Sequence, residues 1–244
     1  MPSDARGRDL PESFSFVVFD LDGTLIDSRQ DIARSANALL EDCGATPLPE
    51  ERIGRMVGDG AATLVARAFA ASGLEPPRDA LSRFLTLYDH RLLDSTRPYP
   101  QVPEVLEVLS ARHHLAVLTN KPLAPTRRIL AGLHLDQYFQ EAWVIGGDGP
   151  FPRKPDPAAL RHLVTVSGHT LDSTLLVGDS VIDWRTSLNA PTAFCLARYG
   201  FGFEGFPIEE RAASGRRGFE FEIDAPERLL GLRELFESVS RGDL

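Results

Sequence analysis

The stretch Ser15-Phe16-Val17-Val18-Phe19-Asp20-Leu21-Asp22-Gly23-Thr24-Leu25 is an apolar run that ends abruptly in two carboxylates. Residues i and i+2 of a strand point the same way, so Asp20 and Asp22 can face one reacting centre where the run enters a loop. Carboxylates held this close repel each other unless a cation or a proton lies between them. The pair therefore predicts a metal site in which one acid attacks and the other moves protons. Gly23 allows a sharp turn, and the Thr24 hydroxyl can donate to an anion beside it.

Two later apolar runs also end in polar groups. The run at 114–118 is followed by Thr119-Asn120, and the run at 174–177 is followed by Gly178-Asp179-Ser180, with Asp183 just beyond. In an open parallel sheet, ligands bind outside the carboxyl ends of the strands. These polar groups are therefore expected to converge at the edge of the sheet that carries the first pair of acids.

Lysine is rare in this chain. Of 26 basic residues only Lys121 and Lys154 are lysines, so the other 24 are arginines. Where arginine is the usual cation, a lysine indicates a place that needs a compact, single-point ammonium. Lys154 lies in the Pro-rich segment Arg153-Lys154-Pro155-Asp156-Pro157, which leads into a helix and can offset the charge of nearby carboxylates and a phosphate. The alternative is chance, since two rare residues must lie somewhere, and chance is a stronger alternative for Lys121 than for Lys154.

The ordered set of motifs resembles the haloacid dehalogenase-like hydrolases. Four segments carry the resemblance, in chain order: Asp20-Leu21-Asp22-Gly23-Thr24, Thr119-Asn120, Lys154, and Gly178-Asp179-Ser180 with Asp183. Further segments resemble the phosphoglycolate phosphatase-like subgroup of that family: Val57-Gly58-Asp59-Gly60-Ala61, Arg97-Pro98-Tyr99-Pro100, Thr119-Asn120-Lys121-Pro122, and Gly146-Gly147-Asp148. The resemblance covers roughly residues 14 to 202 and leaves both tails outside.

The fold implied by this resemblance is α/β: a doubly wound, mostly parallel (Rossmann-like) sheet core with a small all-helical cap inserted after the first strand. The sequence pattern agrees, because apolar residues recur at helical spacing between about residues 28 and 94, and strands and helices alternate afterwards. We expect the core to comprise residues 1–27 and 96–244, and the cap to comprise residues 28–95. A mobile helical lid can shield a covalent intermediate from water and still admit substrate.

The activity implied by the resemblance is that of a Mg²⁺-dependent phosphomonoester hydrolase that works through an aspartyl-phosphate. Asp20 is the expected nucleophile, and Asp22 is the expected acid that protonates the leaving oxygen and then the base that activates water. The residues expected to stabilise the transferred phosphoryl group are Thr119, Asn120 and Lys154. Mg²⁺ is expected to bind Asp20, the backbone carbonyl of Asp22, and Asp179. Asp183 and Thr24 are expected to support these ligands without binding the ion directly.

The turn Gly58-Asp59-Gly60 in the expected cap precedes a helix start and can offer backbone amides to the end of the substrate remote from phosphate. Arg55 is the nearby arginine that we expect to pair with a substrate carboxylate, such as that of phosphoglycolate; Arg52 and Arg67 are also close in sequence. A solvated arginine on a helix face is an equally good interpretation of each one taken singly.

Composition narrows the function classes. The 244 residues carry a formal net charge of −9, which argues against wrapping nucleic acid or an anionic membrane. No apolar stretch approaches the roughly 20 residues of a membrane helix, and no charged-then-apolar signal segment opens the chain. We therefore expect a cytoplasmic monomer or homodimer that acts on a small phosphorylated substrate. Cys43 and Cys195 flank no metal or redox motif and are expected to pack unpaired.

Several alternatives remain open. The first pair of acids alone is compatible with a turn that caps a helix, a phosphosugar mutase of the same fold is the closest rival, and a non-catalytic binding or regulatory protein is a third class. A halide-displacing hydrolase is disfavoured, because a halide does not need the proton that Asp22 supplies.

The six histidines are interpreted as structural or surface residues, and Arg198-Tyr199-Gly200-Phe201-Gly202 as a plain glycine-rich surface loop. Ser187 and Pro191 depart from the subgroup pattern.

Overall fold

A computed structural model describes residues 14–206 and 220–231. Its strands β1 to β8, in chain order, are Phe16–Phe19, Ile26–Asp27, Arg97–Pro98, His114–Leu118, Val144–Ile145, Thr174–Gly178, Ala193–Ala197 and Glu220–Ile223. Six of them form one sheet in the order β5-β4-β1-β6-β7-β8, in which all neighbours run parallel. The parallel α/β sheet expected from the sequence is confirmed.

Helices cover both faces of this sheet. The helices α1 to α8 are Arg29–Asp42, Glu50–Gly54, Ala61–Ser72, Ala80–Asp89, Val102–Ser110, Leu123–Gly132, Ala158–Val166 and Val181–Asn189. Short 3₁₀ turns form at Asp136–Tyr138, Glu141–Trp143, Phe203–Gly205 and Pro226–Gly231. Residues of α5 and α6 share one hydrophobic cluster with the sheet, and residues of α7 and α8 share the other, so the core has three layers.

The first strand lies at the centre of the sheet because it is apolar on both faces. Val17 and Phe19 pack into the cluster on the α5 side, whereas Phe16 and Val18 pack into the cluster on the α7 side. All four residues are buried. A strand covered on both faces reads as a continuous hydrophobic run, which is the pattern that precedes Asp20 in the sequence.

Four helices, α1 to α4, lie between β2 and β3, where the sequence predicts a helical insertion. The division into a core and a cap at residues 28 and 95 stays a prediction. At the other end of the chain, Phe219-Glu220-Phe221-Glu222-Ile223 alternates apolar and acidic residues, a pattern that predicts a strand. The strand β8 begins at Glu220, and Phe219 lies outside the described residues. The sequence of residues 225–239 is typical of a closing helix. The structure shows 3₁₀ turns over Pro226–Gly231, and residues 232–239 lie outside the described residues.

The two connections of the helical insertion are joined to each other. The two-residue strands β2 and β3 pair antiparallel, a feature too short to be read from hydrophobic alternation. Next to them, the fully buried carboxylate of Asp31 accepts hydrogen bonds from the backbone N–H of Ser95, at 2.9 Å, and from both the N–H and the hydroxyl of Thr96, at 2.7 and 2.8 Å. The start of α1 is thereby fixed to the returning chain.

We expect Asp31→Ala to lower the free energy of unfolding by about 2–3 kcal/mol, because it leaves buried donors without an acceptor. Urea denaturation followed by circular dichroism measures this loss. Asp89→Ala is the control, since it removes an exposed carboxylate paired with Arg128 and should change stability by less than about 0.5 kcal/mol. Equal small losses in both variants would show that the Asp31 contacts do not hold the two connections together.

No helix in the part of the chain that the structure describes is long and apolar enough to cross a membrane. Among the described residues, Cys43 and Cys195 form no disulfide, and Cys195 is buried.

A small histidine cluster lies at the amino ends of the central strands, opposite the acids. The Nε2 atom of His169 lies 2.9 Å from Nδ1 of His114, and its Nδ1 lies 3.0 Å from the hydroxyl of Ser15. The His169 ring also stacks on Phe16, with centroids 5.0 Å apart. Two imidazoles at this distance share one hydrogen, so the contact is lost when both rings are protonated. Burial, then the charge of His114, lowers the pKa of His169.

We expect this cluster to make the fold less stable in mild acid. A histidine whose pKa is lowered on folding contributes stability that is present above the unfolded pKa and is lost as pH falls through the folded value. Between roughly pH 7 and pH 5 the free energy of unfolding should therefore fall, and His169→Gln should reduce the slope. Urea denaturation at a series of pH values gives both slopes. An unchanged slope in the variant would contradict the role given to His169.

Candidate active site

The polar residues that end β1, β4 and β6 meet at the carboxyl edge of the sheet, as predicted from their positions after parallel strands. They form the floor of a cavity whose other walls come from the helical insertion. The described residues that line it are Asp20, Asp22, Ile32, Val57, Gly58, Gly60, Ala61, Leu64, Phe84, Leu85, Tyr88, Thr119, Asn120, Lys121, Pro122, Pro125, Asp179, Ser180, Phe201 and Gly202. The organic part of a ligand would thus meet mainly apolar side chains.

Lys154 is paired with two carboxylates at the edge of this cavity. Its Nζ atom lies 2.7 Å from Oδ1 of Asp20 and 2.6 Å from Oδ1 of Asp183. Asp183 also accepts hydrogen bonds at Oδ2 from the hydroxyl of Ser180, at 2.6 Å, and from its backbone N–H, in a capping box that starts α8. Because both oxygens of Asp183 are engaged, this residue positions Lys154; its expected role around the metal stays a prediction.

The carboxylates carry more negative charge than Lys154 balances. The pKa of Asp20 is raised to about 7, first by burial and then by the charge of Asp183, against the opposing effect of Lys154. Burial, followed by the charges of Asp20 and Asp183, raises the pKa of Asp179 well above the usual value. One oxygen from each of these three acids lies within 4.8 Å of the other two. A buried group of carboxylate oxygens with unbalanced charge fits a divalent cation such as Mg²⁺.

Two glycines allow the chain to approach Asp179 closely. Gly23 has a φ of +89°, and a Cβ atom there would lie 1.8 Å from Oδ2 of Asp179. The backbone N–H of Gly202 donates to the same oxygen at 2.7 Å. The interpretation of residues 198–202 as a plain surface loop is therefore wrong, because this loop holds a predicted metal ligand and its Phe201 lines the cavity. The repeated glycines at 200 and 202, next to an aromatic residue, were the signal available in the sequence.

Asp22 has surroundings unlike those of Asp20. Its Oδ1 accepts a 2.5 Å hydrogen bond from the hydroxyl of Ser28, and its Oδ2 lies 2.9 Å from Nζ of Lys121. The same ammonium donates to the hydroxyl of Tyr88, on α4, at 2.9 Å. Burial opposes the charge on Lys121, but Asp22 and Tyr88 outweigh it, so the pKa of Lys121 is raised. Sequence reasoning missed Ser28 and Tyr88, whose types and spacing suit an ordinary helix start and helix core.

Thr24, Thr119 and Asn120 also lie at the strand ends, but they are engaged differently. The Thr24 hydroxyl is buried without a hydrogen-bond partner among the described residues, as suits a donor awaiting an anion. The Thr119 hydroxyl accepts from the N–H of Lys121 at 3.1 Å and keeps its own hydrogen. The Asn120 amide donates to the carbonyls of Gly58 and Lys154 at 2.8 and 3.0 Å, so its side chain can contact a phosphoryl oxygen only by releasing one of these bonds.

The residues of the predicted substrate-binding turn reach the site unequally. Gly58 and Gly60 line the cavity, whereas the Asp59 carboxylate pairs with Arg67 at 2.6 Å. Arg55 does not line the cavity: its guanidinium lies 2.8 Å from Glu204 of the core, and its side chain is 62% exposed. Reading of a substrate carboxylate by Arg55 stays a prediction, and it would require the ion pair with Glu204 to open.

Comparisons with known proteins place the chain in a family. The family model for haloacid dehalogenase-like hydrolases matches residues 17–197. Phosphoglycolate phosphatase of Rhodospirillum rubrum is 42% identical over 197 residues, which cover 77% of this chain and 81% of that protein. Phosphoglycolate phosphatase 1 of Pseudomonas aeruginosa is 36% identical over 205 residues, which cover 80% of this chain and 73% of that protein.

Solved structures agree with these sequence matches. The crystal structure of a predicted phosphoglycolate phosphatase from Haemophilus somnus aligns with a TM-score of 0.79 at 31% identity, covering 89% of this chain and 96% of that one. A putative phosphoglycolate phosphatase from Lactobacillus delbrueckii, at 23% identity and a TM-score of 0.76, shares the fold. The resemblance seen in the sequence motifs is confirmed, and the chain belongs to the haloacid dehalogenase-like hydrolase family.

Proposed function

We propose that this protein is a Mg²⁺-dependent phosphatase that hydrolyses a small phosphate monoester through an aspartyl-phosphate on Asp20. The observation that carries the proposal is the contrast between the two acids of the first loop. Asp20 lies with Lys154 in the buried acidic group, whereas Asp22 is held apart by Ser28 and Lys121. Two carboxylates in different surroundings suit two different roles in one reaction.

In the proposed reaction, a carboxylate oxygen of Asp20 attacks phosphorus, and the bond from phosphorus to the ester oxygen breaks. The leaving oxygen takes a proton from Asp22, which then removes a proton from the water that attacks the phosphorus of the aspartyl-phosphate. Inorganic phosphate leaves and Asp20 is restored. Lys154 and the hydroxyls of Thr24 and Thr119 would donate to the phosphoryl oxygens as their charge develops.

Mg²⁺ would be held by Asp20, the backbone carbonyl of Asp22, and Asp179. When bound, it would offset the charge of the phosphate and of its carboxylate ligands. The contacts of the described residues support this set of ligands. They engage Oδ1 of Asp20 and Oδ2 of Asp179, which leaves the other oxygen of each carboxylate for the ion.

The relatives that carry the name phosphoglycolate phosphatase support phosphoglycolate as the substrate. The cavity agrees with a small ester, because apolar residues of α1, α3 and α4 leave few polar partners for a sugar or a nucleotide. In this proposal residues 28–95 act as the cap that closes over the strand ends. The same proposal takes the protein as a cytoplasmic monomer or homodimer, and its charge of −9 supports the absence of a nucleic-acid partner.

The direct test is a panel of phosphate esters incubated with purified protein and Mg²⁺. We expect phosphate release with the highest kcat/KM on phosphoglycolate, and lower values for hexose phosphates and nucleotides. Mass analysis of the products distinguishes hydrolysis from isomer formation. Isomerisation of a phosphosugar without phosphate release would identify a mutase, and binding without turnover of any ester would identify a regulatory protein.

We expect Asp20→Asn to lower kcat by more than about 1,000-fold, because an amide is a poor nucleophile and a weaker metal ligand of nearly the same shape. Circular dichroism should show an intact fold. Rapid quenching of the wild-type reaction, followed by digestion and mass spectrometry, should find one phosphoryl group on the peptide that contains Asp20. Asp89→Asn, at an exposed site, is the control, and near wild-type kcat in Asp20→Asn would rule out the covalent mechanism.

Removal of Mg²⁺ should abolish activity and lower thermal stability. Added Mg²⁺ should raise the Tm of chelator-treated protein, because an ion that binds only the folded state stabilises it. Asp179→Asn should reduce this Tm shift, since one carboxylate ligand is lost. Ca²⁺ should bind without supporting turnover, because it accepts more ligands and can draw a carboxylate oxygen away from attack. Full activity after thorough chelation would contradict the metal requirement.

A further inference from the structure

Lys121 lies on a different side of the proposed active site from Lys154. Among the described residues that line the cavity it is the one basic side chain. Lys154 lies on the nucleophile side, between Asp20 and Asp183. Arg55 and Arg67 are occupied by Glu204 and Asp59. Arg153 lies next to Gly60, but its Nε donates to the carbonyl of Gly147 and the residue does not line the cavity. Among the lining side chains, the positive charge next to the apolar walls therefore comes from Lys121.

The ammonium group of Lys121 has capacity for one more partner. It carries three donor hydrogens, of which two are used by Asp22 and Tyr88, each at 2.9 Å. Both partners fix its direction, since Lys121 is 8% exposed and Tyr88 is 4% exposed. Because Lys121 lines the cavity, its third hydrogen is available to a ligand there. The neighbouring side chains of Phe84 and Leu64 are apolar and do not compete for it.

The contact with Asp22 fixes how far the Lys121 ammonium lies from the ester oxygen of a bound substrate. In the proposed function Asp22 donates its proton to the ester oxygen of the substrate, so Lys121 lies one hydrogen bond away from the group that meets that oxygen. In phosphoglycolate the ester oxygen and the carboxylate are separated by a single methylene carbon. In that arrangement the carboxylate of phosphoglycolate would lie beside Lys121, and the carboxylate of a longer acid would lie beyond it.

We propose that Lys121, oriented by Tyr88, binds the carboxylate of a phosphorylated two-carbon acid and so determines the substrate specificity of this chain. The proposal rests on the proposed function, because it uses Asp22 as the proton donor to the leaving oxygen. A carboxylate enters an apolar cavity only when a charged partner compensates for its lost hydration. A neutral ester of the same size leaves the Lys121 hydrogen unpaired, which disfavours that ester.

The experiment compares Lys121→Met with wild type on two matched substrates, phosphoglycolate and 2-hydroxyethyl phosphate, which differ in the carboxylate. We expect kcat/KM for phosphoglycolate to fall about 100-fold more than kcat/KM for the neutral ester, mainly through KM. Tyr88→Phe, which keeps the ring and removes the acceptor hydroxyl, should give a smaller loss of the same selective kind. Arg128→Met is the matched control for net charge, since Arg128 is exposed and pairs with Asp89 outside the cavity.

A purely structural role would look different. If Lys121 serves only to position Asp22, both substrates lose kcat equally, and that result overturns the proposal. A selective loss in Arg55→Met with none in Lys121→Met also overturns it and assigns carboxylate recognition to the cap arginine. If Lys121→Met does not fold, the Tyr88→Phe ratio decides in the same way.

The wild-type protein separates this proposal from the proposed function. Hydrolysis of both esters at equal kcat/KM would refute carboxylate recognition and leave the phosphatase assignment standing. Hydrolysis of neither ester, nor of any other in the panel, would refute the phosphatase assignment itself. A preference for phosphoglycolate over the phosphate ester of 3-hydroxypropionate, which has one more methylene, should appear in wild type and diminish in Lys121→Met.

Discussion

The concentration of buried negative charge at the ends of β1 and β6 is the constraint on which the rest of the site depends. Asp20, Asp179 and Asp183 are all less than a tenth exposed, and one ammonium, that of Lys154, lies among them. Burying a charge costs several kcal/mol unless partners compensate for its hydration. Hydrogen bonds offset part of this cost: the backbone N–H of Gly202 donates to Asp179, and Ser180 donates to Asp183 in the capping box at the start of α8. The remaining imbalance leaves room for a divalent cation.

The same constraint explains the architecture of the loops. Backbone donors can reach a buried carboxylate only where no side chain intervenes, so glycine is required next to Asp179. A Cβ atom at Gly200 would lie 2.2 Å from the carbonyl oxygen of Gly23, which shows how tightly the two loops are packed. The loops that follow β1 and β7 thus meet around the carboxylate of Asp179. Substitution at these glycines would displace the carboxylate of Asp179 before it disturbed the sheet.

Much of the site could be predicted because it follows from local rules. A strand buried on both faces reads as an apolar run, and parallel strands bring their carboxyl ends together, which places Asp20, Thr119 and Asp179 near each other. The contacts of Arg55 and Asn120 could not be predicted in this way. Arg55 meets Glu204 across 149 positions, and Asn120 meets Gly58 across 62. Such pairings depend on how the helical insertion lies on the core, which no periodicity in the sequence encodes.

The two lysines retained in an arginine-rich chain have different relations to the cap. Asn120 fixes the backbone of Lys154 through both its carbonyl oxygen and its amide, so these contacts of Lys154 do not involve the helical insertion. Lys121 shares its ammonium between Asp22 of the core and Tyr88 of α4. If residues 28–95 open as the proposed cap, Lys154 would keep its contacts with Asn120, whereas Lys121 would lose Tyr88, one of the two groups that orient its ammonium. Under that proposal, binding at the organic end of the substrate and closure of the cap would be coupled through Lys121.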